Sequence, residues 1–173
     1  MNAKYGLYIK KGTDIKNTMS VWNIGCMNTP FKIGGTVKEL AKRDWPDEHG
    51  EDVFIPAKLP FEAYDVEFEM AYVGKELASN PFNVSLACSQ IESFKKWLSG
   101  NDTDEGTGAE LSIYSSYTTM GRNCYLKEIS DEEPHVQLKQ ENGNLYNENI
   151  VTFKVTFRVI DPMTNVTLTS SSS

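Results

Sequence analysis

A mostly β, α+β fold, an antiparallel sandwich or barrel flanked by one main helix, is predicted by three patterns in this sequence. From Tyr64 to Tyr72 the odd-numbered residues between them are Asp65, Glu67, Glu69 and Ala71, while Tyr64, Val66, Phe68, Met70 and Tyr72 take the other parity. Successive side chains of a strand point to opposite faces, so this segment reads as a strand with one buried and one wet face. Val151, Phe153, Val155, Phe157 and Val159 alternate in the same way with Thr152, Lys154, Thr156 and Arg158. The third pattern is helical. Between about Asn83 and Ser99 the residues Val84, Ala87, Cys88, Ile91, Phe94 and Leu98 recur at three- and four-residue steps, giving one apolar stripe that must pack on the sheet. One-sided alternation implies antiparallel pairing, because strands of parallel sheets are usually buried on both faces.

The remaining elements follow in chain order. Short strands are expected at Tyr5–Ile9, Ser20–Ile24 and Val53–Ile55, and a short helix over Thr36–Lys42, where Thr36-Val37-Lys38-Glu39 reads as a capping box. On the main helix Asn83 can cap the first turn, Lys95 and Lys96 sit at the negative end of the dipole, and Gly100 closes it. Asn101 to Gly108 is an acidic, glycine-containing loop. Further strands are expected at Glu110–Ser115, Cys124–Ile129, Val136–Gln140 and near Val166–Leu168, broken at Gly121, at an acidic bend over Asp131–Pro134 and at Asp161-Pro162. Asn142-Gly143 is a hairpin signal between Val136–Gln140 and the Val151 strand.

With 173 residues, no internal repeat and no linker, the chain is expected to be one domain over residues 1–173. The turn-rich residues 12–50 form a possible extended arm, and 170–173 a frayed tail. A net charge of −7 with scattered Lys and Arg argues against general nucleic-acid binding and against adsorption to an anionic membrane. The three cysteines, Cys26, Cys88 and Cys124, lack the pairing of a disulfide framework and the spacing of a zinc site, so reduced, buried thiols are expected. Neither a signal-peptide apolar region nor a transmembrane-length run is present, so folding in the cytoplasm is expected.

Reaction chemistry is hard to find. A calcium loop started at Asp102 would put Gly106 at position 5 and Ile113 at position 12, so the ligand pattern of an EF-hand fails. His49 stands among Asp47, Glu48, Glu51 and Asp52, yet one imidazole among adjacent loop carboxylates reads better as a surface turn than as a metal site. His135 is isolated. The sequence holds no G-x-S-x-G, and Lys32-Ile33-Gly34-Gly35-Thr36 lacks the phosphate-loop spacing. Glu67 and Glu69 could line a glycosidase cleft, but with Asp65 they form three acids on one strand face and read as a negative surface. Most aromatics fall on inward parity. Trp45 and Tyr117, in loops, are candidate interface anchors or ligand stackers. No catalytic, metal-ligating or cofactor-binding residue is assigned.

One resemblance spans most of the chain. Trp22-Asn23-Ile24 precedes a bend at Pro30-Phe31, then Arg43-Asp44-Trp45-Pro46-Asp47-Glu48-His49-Gly50-Glu51-Asp52-Val53-Phe54-Ile55-Pro56, then Tyr64-Asp65-Val66-Glu67-Phe68. A helix ending Phe94-Lys95-Lys96-Trp97-Leu98, a strand Leu111-Ser112-Ile113-Tyr114, and the Val151 to Ile160 strand with Asp161-Pro162 complete the order. This order resembles tail structural proteins of phages and prophages, of the distal-tail or tail-tube type. The resemblance implies a non-catalytic virion subunit, located in the virion tail, that forms a homo-oligomeric ring, often a hexamer, around a DNA channel and contacts other tail proteins. It carries no catalytic residues over, and the chain is short for a distal-tail protein, so tube, distal-tail ring and completion roles stay open.

On that reading Asp65, Glu67 and Glu69 are candidate channel-facing acids, since carboxylates repel passing phosphates. Candidate interface residues are Trp45, Asp47 and Glu48 in the turn-rich segment, Asp102 and Asp104 in the acidic loop, and Tyr117. The alternative is a non-catalytic carbohydrate- or protein-binding β-sandwich module, which would act as a monomer.

Overall fold

The computed structural model describes residues 6–31, 33–77 and 84–168. Its centre is the pairing of the two alternating segments. Strand β6, Tyr64–Leu77, runs antiparallel to β9, Asn144–Val159, with Val66 opposite Phe157, Phe68 opposite Val155 and Met70 opposite Phe153. β1 (Tyr8–Lys11), β2 (Asp14–Asn17), β3 (Ile24–Cys26), β7 (Leu111–Ser115) and β8 (Met120–Glu141) complete one sheet of order β2-β1-β7-β8-β9-β6-β3. Every pairing is antiparallel. Helix α2, Val84–Ser99, is the main helix and lies against β6, β8 and β9. A separate two-stranded ribbon, β4 (Lys42–Arg43) with β5 (Asp52–Val53), stands apart from the sheet.

The sheet is curled, and connectivity shows why. Laid flat, seven strands would hold the edges β2 and β3 about 29 Å apart. The chain passes from one edge to the other through only six residues, the five of helix α1, Thr18–Trp22, which spans about 7.5 Å, and its cap Asn23. The sheet therefore rolls towards a half-closed barrel, with α1 bridging the gap and α2 filling the inside. Fully buried Phe68, Phe153 and Phe157 from the sheet meet fully buried Phe94 and Leu98 from α2. Trp22 lies 5.0 Å from Phe94 and 5.4 Å from Trp97 by ring centroids, tilted in both cases. Each such side chain contributes about 1.5–3 kcal/mol by leaving water.

Several local expectations give way to this packing. Of Ser20–Ile24 only Ile24 is in a strand, the first residue of β3. The Asn17 side chain accepts from the Met19 and Ser20 amides, Asn23 ends the turn at φ 56°, and the resulting helix α1 delivers Trp22 to the core. The helix expected over Thr36–Lys42 is absent, because its backbone pairs across the chain instead. Glu62 N donates to Thr36 O at 2.8 Å, and Lys38 N to Pro60 O at 2.9 Å. The two strands expected at Cys124–Ile129 and Val136–Gln140 are one, β8, and Gly121 lies inside it rather than breaking it. The acidic bend over Asp131–Pro134 is a bulge within that strand, with register shifts between Leu126 and Glu128 and between Ser130 and Glu133, and Asp131 at φ 53°. The first strand starts at Tyr8, with Gly6 and Leu7 outside it and Tyr5 outside the described residues, and Asp14–Asn17 is a strand that alternation alone did not mark. Val53–Ile55 shrinks to Asp52–Val53, leaving Phe54 and Ile55 exposed.

Residues 166–168 form no strand, although Val166 N donates to Gly121 O at 3.1 Å. A Cβ on Gly121 would stand 2.0 Å from the Val166 carbonyl oxygen, so only glycine admits this crossing. Cys26 and Cys124 are buried as expected, whereas Cys88 is exposed, since the helix presents Ala87, Ile91 and Phe94 to the core and turns position 88 outward. The Asn83 cap and the tail over 170–173 lie outside the described residues.

Two extensions leave this core. Residues 12–26, expected to belong to an arm, are instead built into the sheet and α1, and the arm proper runs from 33 to 63. Its two legs pair at Val37 with Phe61, at Ala41 O with Phe54 N (2.9 Å), and through the β4–β5 ribbon to a tip at 44–51. It is rooted where Asn28 bonds the backbone of Glu67 and Glu69 (3.1 and 2.9 Å) and Phe31 packs edge-on against Phe68. The second extension is the β8–β9 hairpin, flanked by β6 as far as Leu77 opposite Tyr146. It turns at Asn142-Gly143 and outruns Val151, the last core residue of β9 towards the turn, by about 25 Å, with Leu138 and Leu145 exposed.

Candidate functional site

The wet face of β6 carries Asp65, Glu67 and Glu69 side by side, as alternation requires. Antiparallel register sets β9 beside it, and β9 offers cations at matching positions. Asp65 bonds Arg158 at 3.0 Å and also Lys127 from β8. Lys154 lies 3.5 Å from Glu67 and 3.4 Å from Asp131. The hydrogen bond from Lys127, then that from Arg158, holds the Asp65 carboxyl below its ordinary 3.8. The bond to Asp131 and the nearby Glu67 charge raise Lys154 above 10.5. The three acids are thus brought together, but within a ladder of alternating charge across β6, β9 and β8. A uniformly negative wall is not what these neighbours make.

The acidic loop after α2 divides in two. Helix α2 ends in a Schellman arrangement: Gly100 at φ 77° donates to Trp97 O (3.3 Å), and Asn101 N donates to Lys96 O (2.8 Å). Lys11, buried on β1, donates to the same Trp97 carbonyl at 2.8 Å and lies 4.6 Å from the Trp97 ring centroid. Its amine also reaches Asp102 at 3.4 Å and Thr107. The Thr107 hydroxyl donates to Asp102 and, with the Lys11 charge, keeps that carboxyl below 3.8. Asp102 therefore ties the loop to β1 and α2, whereas Asp104 is exposed. Sequence reasoning placed Lys95 and Lys96 at the helix end and missed Lys11. The signal was there: Lys11 shares the inward parity of Leu7 and Ile9.

Trp45, Asp47 and Glu48 gather at the tip of the arm. The Trp45 indole N–H donates to Asp52 at 3.2 Å, Arg43 stacks 5.0 Å from its ring, and Lys42 pairs with Glu51 at 3.3 Å. Trp45 is thus a half-clothed anchor, and Asp47 and Glu48 are exposed beside it. His49 is exposed on the same turn, and among the described residues no group of three or more His, Cys, Asp or Glu gathers to hold a metal ion. Tyr117, 74% exposed, stands on the separate β7–β8 turn. The interface candidates therefore lie on three different elements.

A feature that sequence reasoning did not find is a groove of about 470 Å³ along the outer side of the β2 edge. Tyr8 and Tyr114, cross-strand partners, line it together with Ile15, Asn17, Ser20, Ser116 and Leu168. Only register could have shown it, by setting Ile15 beside Lys10 and Tyr8 beside Tyr114. No helix among the described residues is long and apolar enough to cross a membrane. In comparison with known proteins, the chain matches no protein-family model, no curated protein and no solved structure. What the fold defines is an antiparallel α+β protein, sandwich-like in its layering of one curled sheet on one main helix.

Proposed function

We propose that the protein is a non-catalytic structural subunit that assembles with copies of itself, as a tube or ring subunit of a phage-type tail surrounding a DNA channel. The observation that carries this reading is the pair of extensions beyond a well-packed core. The 33–63 arm displays Ile33 (92% exposed), Phe54 (71%) and Ile55 (72%), apolar surface that the chain's own core leaves in water. The 33–63 arm pairs only with itself beyond its root, and such an extended arm gains most when a neighbouring copy covers it. The order of segments, which resembles that of phage and prophage tail proteins, supports the same class. On this reading the β6 face with Asp65, Glu67 and Glu69 is the candidate channel wall; its alternating charges would let DNA slide through compensation as much as repulsion. Other tail proteins would stack on the ring, and the location is the virion tail.

The Tyr8–Tyr114 groove favours one second reading, a monomeric carbohydrate- or protein-binding module. Light scattering behind size exclusion at rising concentration, followed by negative-stain microscopy, separates the two. Rings or tubes are expected. A chain that stays monomeric and shows a sugar-dependent melting shift would replace assembly with binding.

A further inference from the structure

We infer that the contact between copies is head-to-tail, with the 33–63 arm of one copy seated in the β2-edge groove of the next; this rests on the self-assembly reading above. Three observations point to this pairing. First, the arm is the segment between β3 and β6, whereas the groove is lined by residues of β1, β2, α1 and β7 together with Leu168. Each copy thus offers one arm and one groove built from different residues. A contact joining unlike surfaces repeats, closing into a ring or growing as a filament, whereas a two-fold contact stops at a dimer.

Second, the apolar surfaces match. Phe54 and Ile55 are adjacent, exposed residues just beyond the ribbon, and the groove offers two tyrosine rings with Ile15 and Leu168. Aromatic and aliphatic side chains of this kind are the usual anchors and pocket walls of protein contacts.

Third, the charges are opposite. The arm tip over residues 42–53 carries five acids against Lys42 and Arg43, while the β1–β2 hairpin over 8–17 carries three lysines against Asp14 alone. Glu51 and Asp52 are occupied within the arm, by Lys42 and Trp45, and Lys11 and Lys16 are occupied within the body. Asp44, Asp47 and Glu48 have no cation partner among the described residues. Lys10, whose cross-strand neighbour Ile15 lines the groove, has no anion partner among them. Opposite charges at the rim orient the encounter and disfavour the arm-to-arm alternative, in which like charges would meet.

The test uses two variants of the full chain: an arm variant, Phe54→Asp with Ile55→Asp, and a groove variant, Lys10→Glu with Ile15→Glu. Sedimentation velocity on wild type is expected to show mass rising with concentration. Each variant alone is expected to be at least ten-fold weaker in self-association. Mixed together they should form a 1:1 pair and nothing larger, because one arm and one groove remain intact between them. If both variants assemble like wild type, copies meet through another surface: this contact is wrong while self-assembly stands. If neither assembles and the mixture stays monomeric, the contact is not head-to-tail between these elements. If wild type itself never exceeds a monomer, the self-assembly reading fails and takes this inference with it. Should a variant lose its cooperative melt, Glu48→Lys and Lys10→Glu serve instead. Each should weaken assembly alone, and the double variant in one chain should recover it.

Discussion

Phe94 and Phe54 are the same residue type under opposite rules. Phe94 is fully buried on α2 against Trp22, while Phe54 is 71% exposed on the arm. Around Phe94, period and packing agree: the three- and four-residue spacing that forms the helix also aims its stripe at the sheet. Around Phe54 the chain is held by one amide to Ala41, a two-residue ribbon and exposed polar contacts such as Lys42–Glu51 and Trp45–Asp52, with no apolar packing from the body. The contrast teaches that the body is specified by its own side chains, whereas the arm has shape without a covering. Phe94→Ala should cost about 3–5 kcal/mol through lost burial and a residual cavity. Phe54→Ser should change stability by no more than about 0.5 kcal/mol. Thermal melts compare them directly. Equal losses would mean that Phe54 is packed and the two regions are not different in kind.

The seam at Gly121 tests how far the body's tight packing reaches. The chain beyond β9 crosses this residue, with Val166 N bonding Gly121 O and the Asn165 side chain accepting from Gly121 N at 2.9 Å. Gly121→Ala drives a methyl group into the Val166 carbonyl, and the expected loss is about 2–3 kcal/mol, or about 4–12 °C in melting temperature. Gly143→Ala, in the hairpin turn with nothing within 4 Å, meets no neighbour and costs only its backbone preference at φ 80°. A wild-type melt for Gly121→Ala would show that residues 161–168 are not part of the body.

This difference also governs what could be read from the sequence. β6, β9 and α2 were legible because each repeats a period long enough to be unambiguous, and the outward acids Asp65, Glu67 and Glu69 came with them. Their cation partners were not, since Lys127, Lys154 and Arg158 meet them only through strand register. Ser20–Ile24 failed because five residues carry too little period to separate strand from helix, and the decisive bonds come from the Asn17 side chain. Thr36–Lys42 failed for the opposite reason. A local capping signal was present, but without an apolar stripe to dock it the segment paired with residues 60–62 instead. The arm was sensed as turn-rich yet placed too early, because β2 is a short edge strand whose one clear apolar residue, Ile15, faces outward.

Lys11 marks the border between the two regimes, where body side chains hold a loop. Its amine serves the Trp97 carbonyl, Asp102 and Thr107 at once, with 7% exposure. Lys11→Met keeps the packed stem and deletes the amine. The expected loss is about 1–2 kcal/mol, since hydrogen bonds to a charged group exceed neutral ones. Hydrogen exchange should quicken at Gly100 to Gly108 and remain slow in β6 and β9. Unchanged exchange in that loop would show that the Schellman bonds alone fix it.

The smallest effect expected is a change of slope with pH at the same place. The Thr107 hydroxyl and the Lys11 charge hold the Asp102 carboxyl below 3.8, so the unfolded chain takes up its proton first as acid is added. Its contribution is therefore present above 3.8 and lost as pH falls through the lower, folded value. Asp65 and Asp161 act in the same direction. Lys127 and Arg158 lower Asp65, while the Thr164 side chain and the Met163 amide lower Asp161. Asp102→Asn should melt below wild type at pH 6, and the two curves should converge as pH drops towards 2. Because the pair is partly open to water, high salt weakens the Lys11 attraction and leaves the Thr107 bond, so convergence should persist in 1 M salt with a smaller starting gap. Parallel curves at every pH would mean that Asp102 contributes shape and no charge, and that the loop belongs with the arm rather than with the body.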